Sequence, residues 1–205
     1  MKILYGLYQP DDGEILVNGP PVRLRSPADA IADGIGFVSQ HFALVPRFTV
    51  AENVMLGHEG GARLNPRQMR AQVMIAAESL NMAIDPNALA GKLSVGEQQR
   101  VESLKALNRN CRVLIMDEPT AVLAPQDVEA LFAVLRDLQK QGMAIIIITH
   151  KLNEVFAVSQ RVTVLRLGKV VGEIATQATS PSALAELMVG RQTLAVERNT
   201  DHQRQ

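Results

Sequence analysis

The chain has 205 residues, room for one ordinary domain or one domain with an inserted subdomain, and 47% of them are hydrophobic, which excludes disorder by composition. Lys plus Arg (21) balances Asp plus Glu (21), which argues against nucleic-acid binding through a basic footprint and against a polybasic membrane-surface binder. The single cysteine, Cys111, excludes an internal disulfide and a multi-cysteine zinc site. The longest strongly apolar stretch, Met143 to Thr149, is too short to cross a bilayer, and no charged-then-apolar leader opens the sequence. These features predict a soluble α/β protein of a reducing, cytosol-type compartment.

Residues 1–9 read as the tail of an apolar helix, halted by Pro10-Asp11-Asp12-Gly13. A short strand over 14–18 and a partner over 22–24 follow. Ser26 caps a short helix that carries Pro27 at its first position and ends near Gly34. The strand 35–38 then delivers Ser39-Gln40-His41 to its end. From Thr49 the pattern becomes helical: Thr49-Val50-Ala51-Glu52 is a capping box, and Asn65 caps a helix over about 66–80. No strand is visible over 50–92, so this stretch is predicted to be a helical insertion in a sheet domain. A helix from Ser94 to about Arg109 leads to Val113–Met116, an unbroken apolar run ending in Asp117-Glu118, the pattern of a strand buried on both faces. A helix over 126–141 and a second buried strand over 144–149 complete a βαβ unit, hence a parallel sheet. A helix over 152–159, a hairpin around Leu167-Gly168-Lys169 and a helix over 181–189 follow. Residues 191–205 read as a linker or frayed tail.

Ligands of open parallel sheets bind at the carboxyl ends of the strands. Asp117 and Glu118 stand at one such end and His150 at the next, so all three should share one rim, and Gln40 ends a third strand that plausibly joins it. Adjacent residues on an extended chain face different ways, so one acid can address a metal and the other a water. Taken singly, each has a plainer reading: two solvated loop acids, a helix-capping or core histidine, a surface glutamine. The segment Leu93-Ser94-Val95-Gly96-Glu97-Gln98-Gln99-Arg100 places a hydroxyl and exposed N–H groups at the positive end of a helix dipole, an arrangement suited to phosphate. The same residues also make a capping box, Ser94 with Glu97, and both readings stand together.

The order Gln40, helical insertion, Leu-Ser-Val-Gly-Glu-Gln-Gln, Val-Leu-Ile-Met-Asp-Glu-Pro-Thr, Ile-Thr-His resembles the ATP-binding cassette (ABC) transporter ATPases over about residues 1–190. Thr49-Val50-Ala51-Glu52-Asn53 and Ala121-Val-Leu-Ala-Pro-Gln126 look most like importers of simple sugars or nucleosides, in which two cassettes are often fused. Leu187-Met-Val-Gly-Arg191 looks like the close of a first cassette. The resemblance implies a P-loop-NTPase-like parallel sheet with flanking helices, a helical subdomain over about 50–95 and a remnant antiparallel β part. It implies ATP and Mg²⁺ as cofactors, with Asp117 and Gln40 serving the metal. Glu118 would act as general base on the attacking water, Gln40 as sensor of the γ-phosphate, and His150 as its contact in the transition state. Ser94, Gly96 and Glu97 would face ATP held by the opposite cassette. The implied partners are membrane-spanning permease subunits, a second cassette, fused or separate, and indirectly a solute-binding protein, at the cytoplasmic face of the membrane and without nucleic acid. Two other readings stand beside it. One is a non-catalytic cassette that only supplies its signature turn to a partner; the other is a DNA-handling ATPase with a related head, which the balanced charge disfavours.

Such ATPases hold phosphates with Gly-x-x-x-x-Gly-Lys-Ser/Thr. The two Gly-Lys pairs here do not match: Gly91-Lys92 is followed by Leu93, and Gly168-Lys169 by Val170. Met-Lys-Ile-Leu-Tyr-Gly-Leu resembles the helix that follows the phosphate loop in the family, so the chain is expected to begin just after that loop and to lack the phosphate-loop strand. Ala121-Val-Leu-Ala124 also departs from the Ser-Ala-Leu-Asp that many cassettes carry. Without the phosphate cradle, attraction for a triphosphate reduces to a metal at Asp117 and a few neutral donors. The isolated chain is therefore expected to bind ATP weakly or undetectably, and a fluorescent-nucleotide titration giving micromolar affinity would refute this. It is also expected to be poorly soluble, since a missing strand opens the sheet.

Overall fold

A computed structural model describes residues 1–57, 65–109 and 111–190; the stretch read above as a tail, 191–205, lies outside them. The chain divides into two compact units, Met1–His150 and Lys151–Gln205, a boundary inside the segment read as one cassette.

In the first unit, residues 1–7 form a single helical turn. The Gly6 N–H donates to the Ile3 carbonyl (3.0 Å) and the Leu7 N–H to that of Lys2 (2.9 Å). Gly6 has φ +73°, the left-handed residue that such a helix-closing motif requires. The expected helix tail is present, reduced to one turn, and Tyr5 stacks on Phe37 with ring centroids 5.0 Å apart. The next two strands are short: β1 (Ile15–Leu16) pairs antiparallel with β2 (Pro21–Val22). Helix α1 (Pro27–Ala32) is capped by Ser26, whose hydroxyl accepts from the Asp29 N–H, with proline in the first turn as expected.

Strands β3 (Ile35–Val38), β4 (Val113–Asp117) and β5 (Ala144–Ile148) form one parallel sheet in the order β3-β4-β5. Val38 pairs with Met116 and Met116 with Ile147, so the carboxyl ends of all three strands meet at one rim. The central strand is sealed on both faces: Leu114, Ile115 and Met116 have no exposed surface. Strand β5 differs from expectation. Its isoleucine run, Ile145–Ile148, is half-buried because, among the described residues, β5 pairs with β4 alone and forms an edge. The run is as apolar as a central strand, but apolarity does not say how many neighbours a strand has. An isoleucine edge without charge or proline is an association liability.

The insertion is helical, as expected. Helix α2 (Val50–Met55) has the full Thr49–Glu52 capping box, α3 (Pro66–Ser79) is capped by Asn65, and a 3₁₀ turn at Ala90–Lys92 leads into α4 (Val95–Leu107). Their apolar faces, including Val54, Val73, Val101 and Leu104, form a cluster of their own, distinct from the one holding Leu24, Ala30, Ile35 and Ile115 at the sheet. Asn53, fully buried, holds the loop into α2: its Oδ1 accepts from the Val45 N–H (2.7 Å) and its Nδ2 donates to the carbonyls of Thr49 (3.0 Å) and Val45 (3.1 Å). Helix α5 (Pro125–Lys140), which crosses from β4 to β5, buries Leu131, Phe132, Leu135 and Leu138.

The second unit contains α6 (Leu152–Val158), the antiparallel pair β6 (Arg161–Arg166) and β7 (Lys169–Ala175), and α7 (Pro181–Val189). Leu167 and Gly168, both at positive φ, make the tight turn of the expected hairpin. Arg166 Nη1 donates to the Leu187 carbonyl (3.0 Å) and ties the hairpin to α7.

Replacing Asn53 with alanine leaves the Val45 N–H and two carbonyls without these partners. We predict a loss of about 2–3 kcal/mol in urea unfolding, whereas an exposed control such as Ser79→Ala should shift the midpoint little.

Candidate functional site

The rim of the sheet brings together three of the residues singled out from the sequence. Gln40 follows β3, Glu118 follows β4 and His150 follows β5. Gln40 Nε2 donates to Glu118 Oε2 at 3.3 Å, and His150 Nδ1 lies 3.0 Å from Glu118 Oε1. An ionised carboxylate only accepts, so in this pair Nδ1 carries the hydrogen and Nε2 is left to meet a ligand. The glutamate side chain is 29% exposed and the histidine 66%, so the carboxylate is sheltered but reachable.

The backbone prepares this contact. The Glu118 N–H donates to the Ile148 carbonyl (2.9 Å), extending the β4–β5 ladder by one residue, and the chain then turns away with the Ala121 N–H on the Glu118 carbonyl (3.1 Å). Glu118 has φ +45°, a left-handed conformation that is costly for a residue with a side chain, of order 1–3 kcal/mol. Pro119 next to it disfavours the right-handed alternative. Asp117 is the last residue of β4, in register with Ile148, and its side chain is half-buried. It is the acid expected above to address a metal. Among the described residues no three His, Cys, Asp or Glu side chains cluster as a metal cage. Mg²⁺ carried by a nucleotide needs only one or two protein ligands beside the phosphates, and the donor set of Asp117 and Gln40 fits that kind of metal.

The Ser94 turn has the capping box read from the sequence. Ser94 Oγ and the Ser94 N–H both donate to Glu97 Oε2 at 2.7 Å, and the Glu97 N–H donates back to Ser94 Oγ at 3.3 Å. Two of the donors proposed for phosphate, the Ser94 hydroxyl and N–H, are thus occupied by the helix's own carboxylate. Gly96 is buried rather than open: a Cβ there would lie 2.6 Å from the carboxyl atoms of Asp127, so a larger residue would have to push that carboxylate aside. The carboxyls of Glu97 and Glu52 are both held below the usual carboxylate range, by hydrogen bonds from Ser94 and Thr49 respectively.

Sequence reasoning missed two residues near the site. Glu102 is buried and accepts from the Ala43 N–H (2.6 Å), with Lys105 on the Ala43 carbonyl, so α4 clamps the loop that follows Gln40. Asp127 pairs with Arg100 at 3.4 Å. An acid in the third turn of a mostly polar helix and one in the first turn of α5 both look like solvated charges, and no periodicity reveals what they face.

The family profile described as ABC transporter matches residues 1–121, more than half of the sequence, and the chain belongs to that family. A glucose import ATP-binding protein of Haloferax volcanii is 47% identical over 225 residues, covering 95% of this chain and 41% of that protein. A nucleoside import ATP-binding protein of Lactococcus lactis is 45% identical over 193 residues, covering 93% of this chain and 38% of that protein. The chain spans about two fifths of the length of these curated relatives. Among solved structures, a dimeric ATP-binding cassette in a post-hydrolysis state with ADP and Pi matches at a TM-score of 0.72 and 26% identity, covering 87% of this chain and 79% of that one. The fold is thus that of an ABC ATPase cassette, as the order of motifs implied.

The capping carboxylates set a pH dependence. Each has a folded-state value below its unfolded one, so its contribution is present above the ordinary carboxylate range and is lost as pH falls through the depressed value. Acid titration followed by helix-resolved amide exchange should show the first turns of α2 and α4 loosening together below that range. In Glu97→Ala the α4 turn should be loose at neutral pH already.

Proposed function

We propose that this chain is the catalytic part of an ATP-hydrolysing, energy-coupling subunit of an ABC importer for simple sugars or nucleosides. The observation that carries the reading is the Glu118 carboxylate held between Gln40 and His150 at the strand rim. In this reading Glu118 takes the proton of the attacking water as general base. His150 orients that carboxylate through Nδ1 and offers Nε2 to the terminal phosphate. Gln40 links the carboxylate to the loop after β3, and with Asp117 it would serve Mg²⁺, which when bound neutralises charge on the phosphates. Ser94, Gly96 and Glu97 would meet ATP held by a second cassette, with Glu97 yielding the Ser94 donors as phosphate arrives.

The partners in this reading are permease subunits in the membrane and a second cassette, with the chain at the cytoplasmic membrane face; a solute-binding protein acts at one remove. No helix among the described residues is long and apolar enough to cross a membrane. A shallow groove beside Gln40, lined by Phe42, Leu44, Pro46, Ala90, Val95 and Val122, supports docking of a membrane subunit at the base of the helical insertion. The sugar and nucleoside relatives support the solute class.

A second reading rests on a different observation: within these 205 residues no phosphate loop occurs, while the Ser94 turn is intact. A chain of this kind could lend its signature turn to a complete cassette without hydrolysing ATP itself.

The test is to join the chain to an upstream segment carrying Gly-x-x-x-x-Gly-Lys-Ser/Thr and measure Mg-ATP hydrolysis. The first reading predicts turnover that Glu118→Gln lowers by about 10²–10⁴-fold, the usual worth of a general base. Turnover that survives Glu118→Gln would contradict the assigned role, and no turnover at all would favour the second reading.

A further inference from the structure

Helix α5 begins without a side-chain cap: Ala124 occupies the cap position and offers only its carbonyl, which accepts from the Asp127 and Val128 N–H groups. Asp127, in the first turn, is the residue expected to complement the helix dipole. Its carboxylate instead reaches across to α4. There it lies flat against Gly96, with Cγ, Oδ1 and Oδ2 each 2.6 Å from where a Cβ would stand. It also pairs with Arg100 Nη1 at 3.4 Å. The two side chains are 29% and 32% exposed, so the pair is partly shielded from water. Arg100 Nε is buried without a hydrogen-bond partner, and of the two carboxylates whose charge faces this guanidinium, Asp127 and Glu97, Asp127 is the one paired with it.

The segment between Glu118 and Asp127 has little slack. The Ala121 N–H bonds to the Glu118 carbonyl, the Leu123 N–H to that of Thr120, and the Asp127 N–H to that of Ala124, while the Thr120 side chain is buried. The Glu118 loop therefore ends, through successive turns, on a carboxylate that rests on the Ser94 turn. We propose that Asp127 is a positioning residue, which through Gly96 and Arg100 fixes the Ser94–Glu97 turn relative to the loop carrying Glu118. This rests on the reading that the turn and Glu118 serve the same nucleotide chemistry. It adds a mechanical link between the two that neither motif contains.

The test uses amide hydrogen exchange on the 205-residue chain with Asp127→Asn, which keeps the shape and removes the charge, with Arg100→Met, and with both. Either single substitution should speed exchange at residues 95–98 and at 120–123 by about two- to fivefold, the range of a partly exposed pair. The double substitution should add nothing further, and α3 should be unchanged. Gly96→Ala, whose Cβ would push the Asp127 carboxylate aside, should loosen the same two segments, and adding Asp127→Asn in that background should change little further. Additive singles, or effects confined to the first turn of α5, would overturn the proposal and leave Asp127 as a dipole-complementing acid. Association with a complete cassette loaded with Mg-ATP gives the functional arm: Asp127→Asn and Arg100→Met should weaken it equally, and wild-type strength in both would also overturn the proposal. If the unaltered chain does not associate at all, the functional reading fails while the exchange data still decide the link.

Discussion

The carboxylate of Glu118 accepts from Gln40 and meets His150, residues 78 and 32 positions away along the chain. Parallel pairing makes that meeting possible. Three short apolar strands run in one direction, their registers bring their carboxyl ends level, and each hands a different polar group to the same edge. The central strand, buried over Leu114–Met116, holds the register, because shifting β4 would drag these residues out of their apolar surroundings. The ladder bond from the Glu118 N–H to the Ile148 carbonyl continues the pairing past β4, and the left-handed backbone at Glu118 follows at once. Such conformations persist where the surroundings over-determine them, and they gather at functional sites.

The helical insertion contributes its own precision. Its apolar cluster is separate from that of the sheet, yet α4 grips both sides of the site: Glu102 and Lys105 hold the loop after Gln40, and Arg100 pairs with Asp127 beyond Glu118. One helix therefore touches the segments that follow two of the three strands. The same helix carries the Ser94 turn, where the Ser94 hydroxyl and N–H are satisfied internally by Glu97. A turn closed in this way keeps its shape without a ligand, and a phosphate reaching Ser94 would compete with an internal carboxylate.

Much of this was legible in the residues. The caps at Ser26, Thr49, Asn65 and Ser94 were visible because capping is local chemistry, and the structure has each of them. The common rim of Gln40, Glu118 and His150 could be anticipated because strand direction in a βαβ unit leaves little choice. Less legible were features set by neighbours distant in sequence. The run Ile145–Ile148 reads as a core strand, and only pairing shows it to be an edge. Gly96 reads as a glycine exposed to a ligand, and only the structure shows the Asp127 carboxylate lying against it. The positive φ of Glu118 has no local signal either, since glutamate before proline is ordinarily extended.

The central claim is that one carboxylate organises the rim. An experimentally determined structure of the chain at a resolution that fixes side-chain amides and imidazoles tests it most directly. The account predicts Glu118 in the left-handed region, with its two carboxyl oxygens within hydrogen-bond reach of Gln40 and of His150 respectively. A Glu118 turned to solvent, with Gln40 and His150 on separate faces of the sheet, would contradict it.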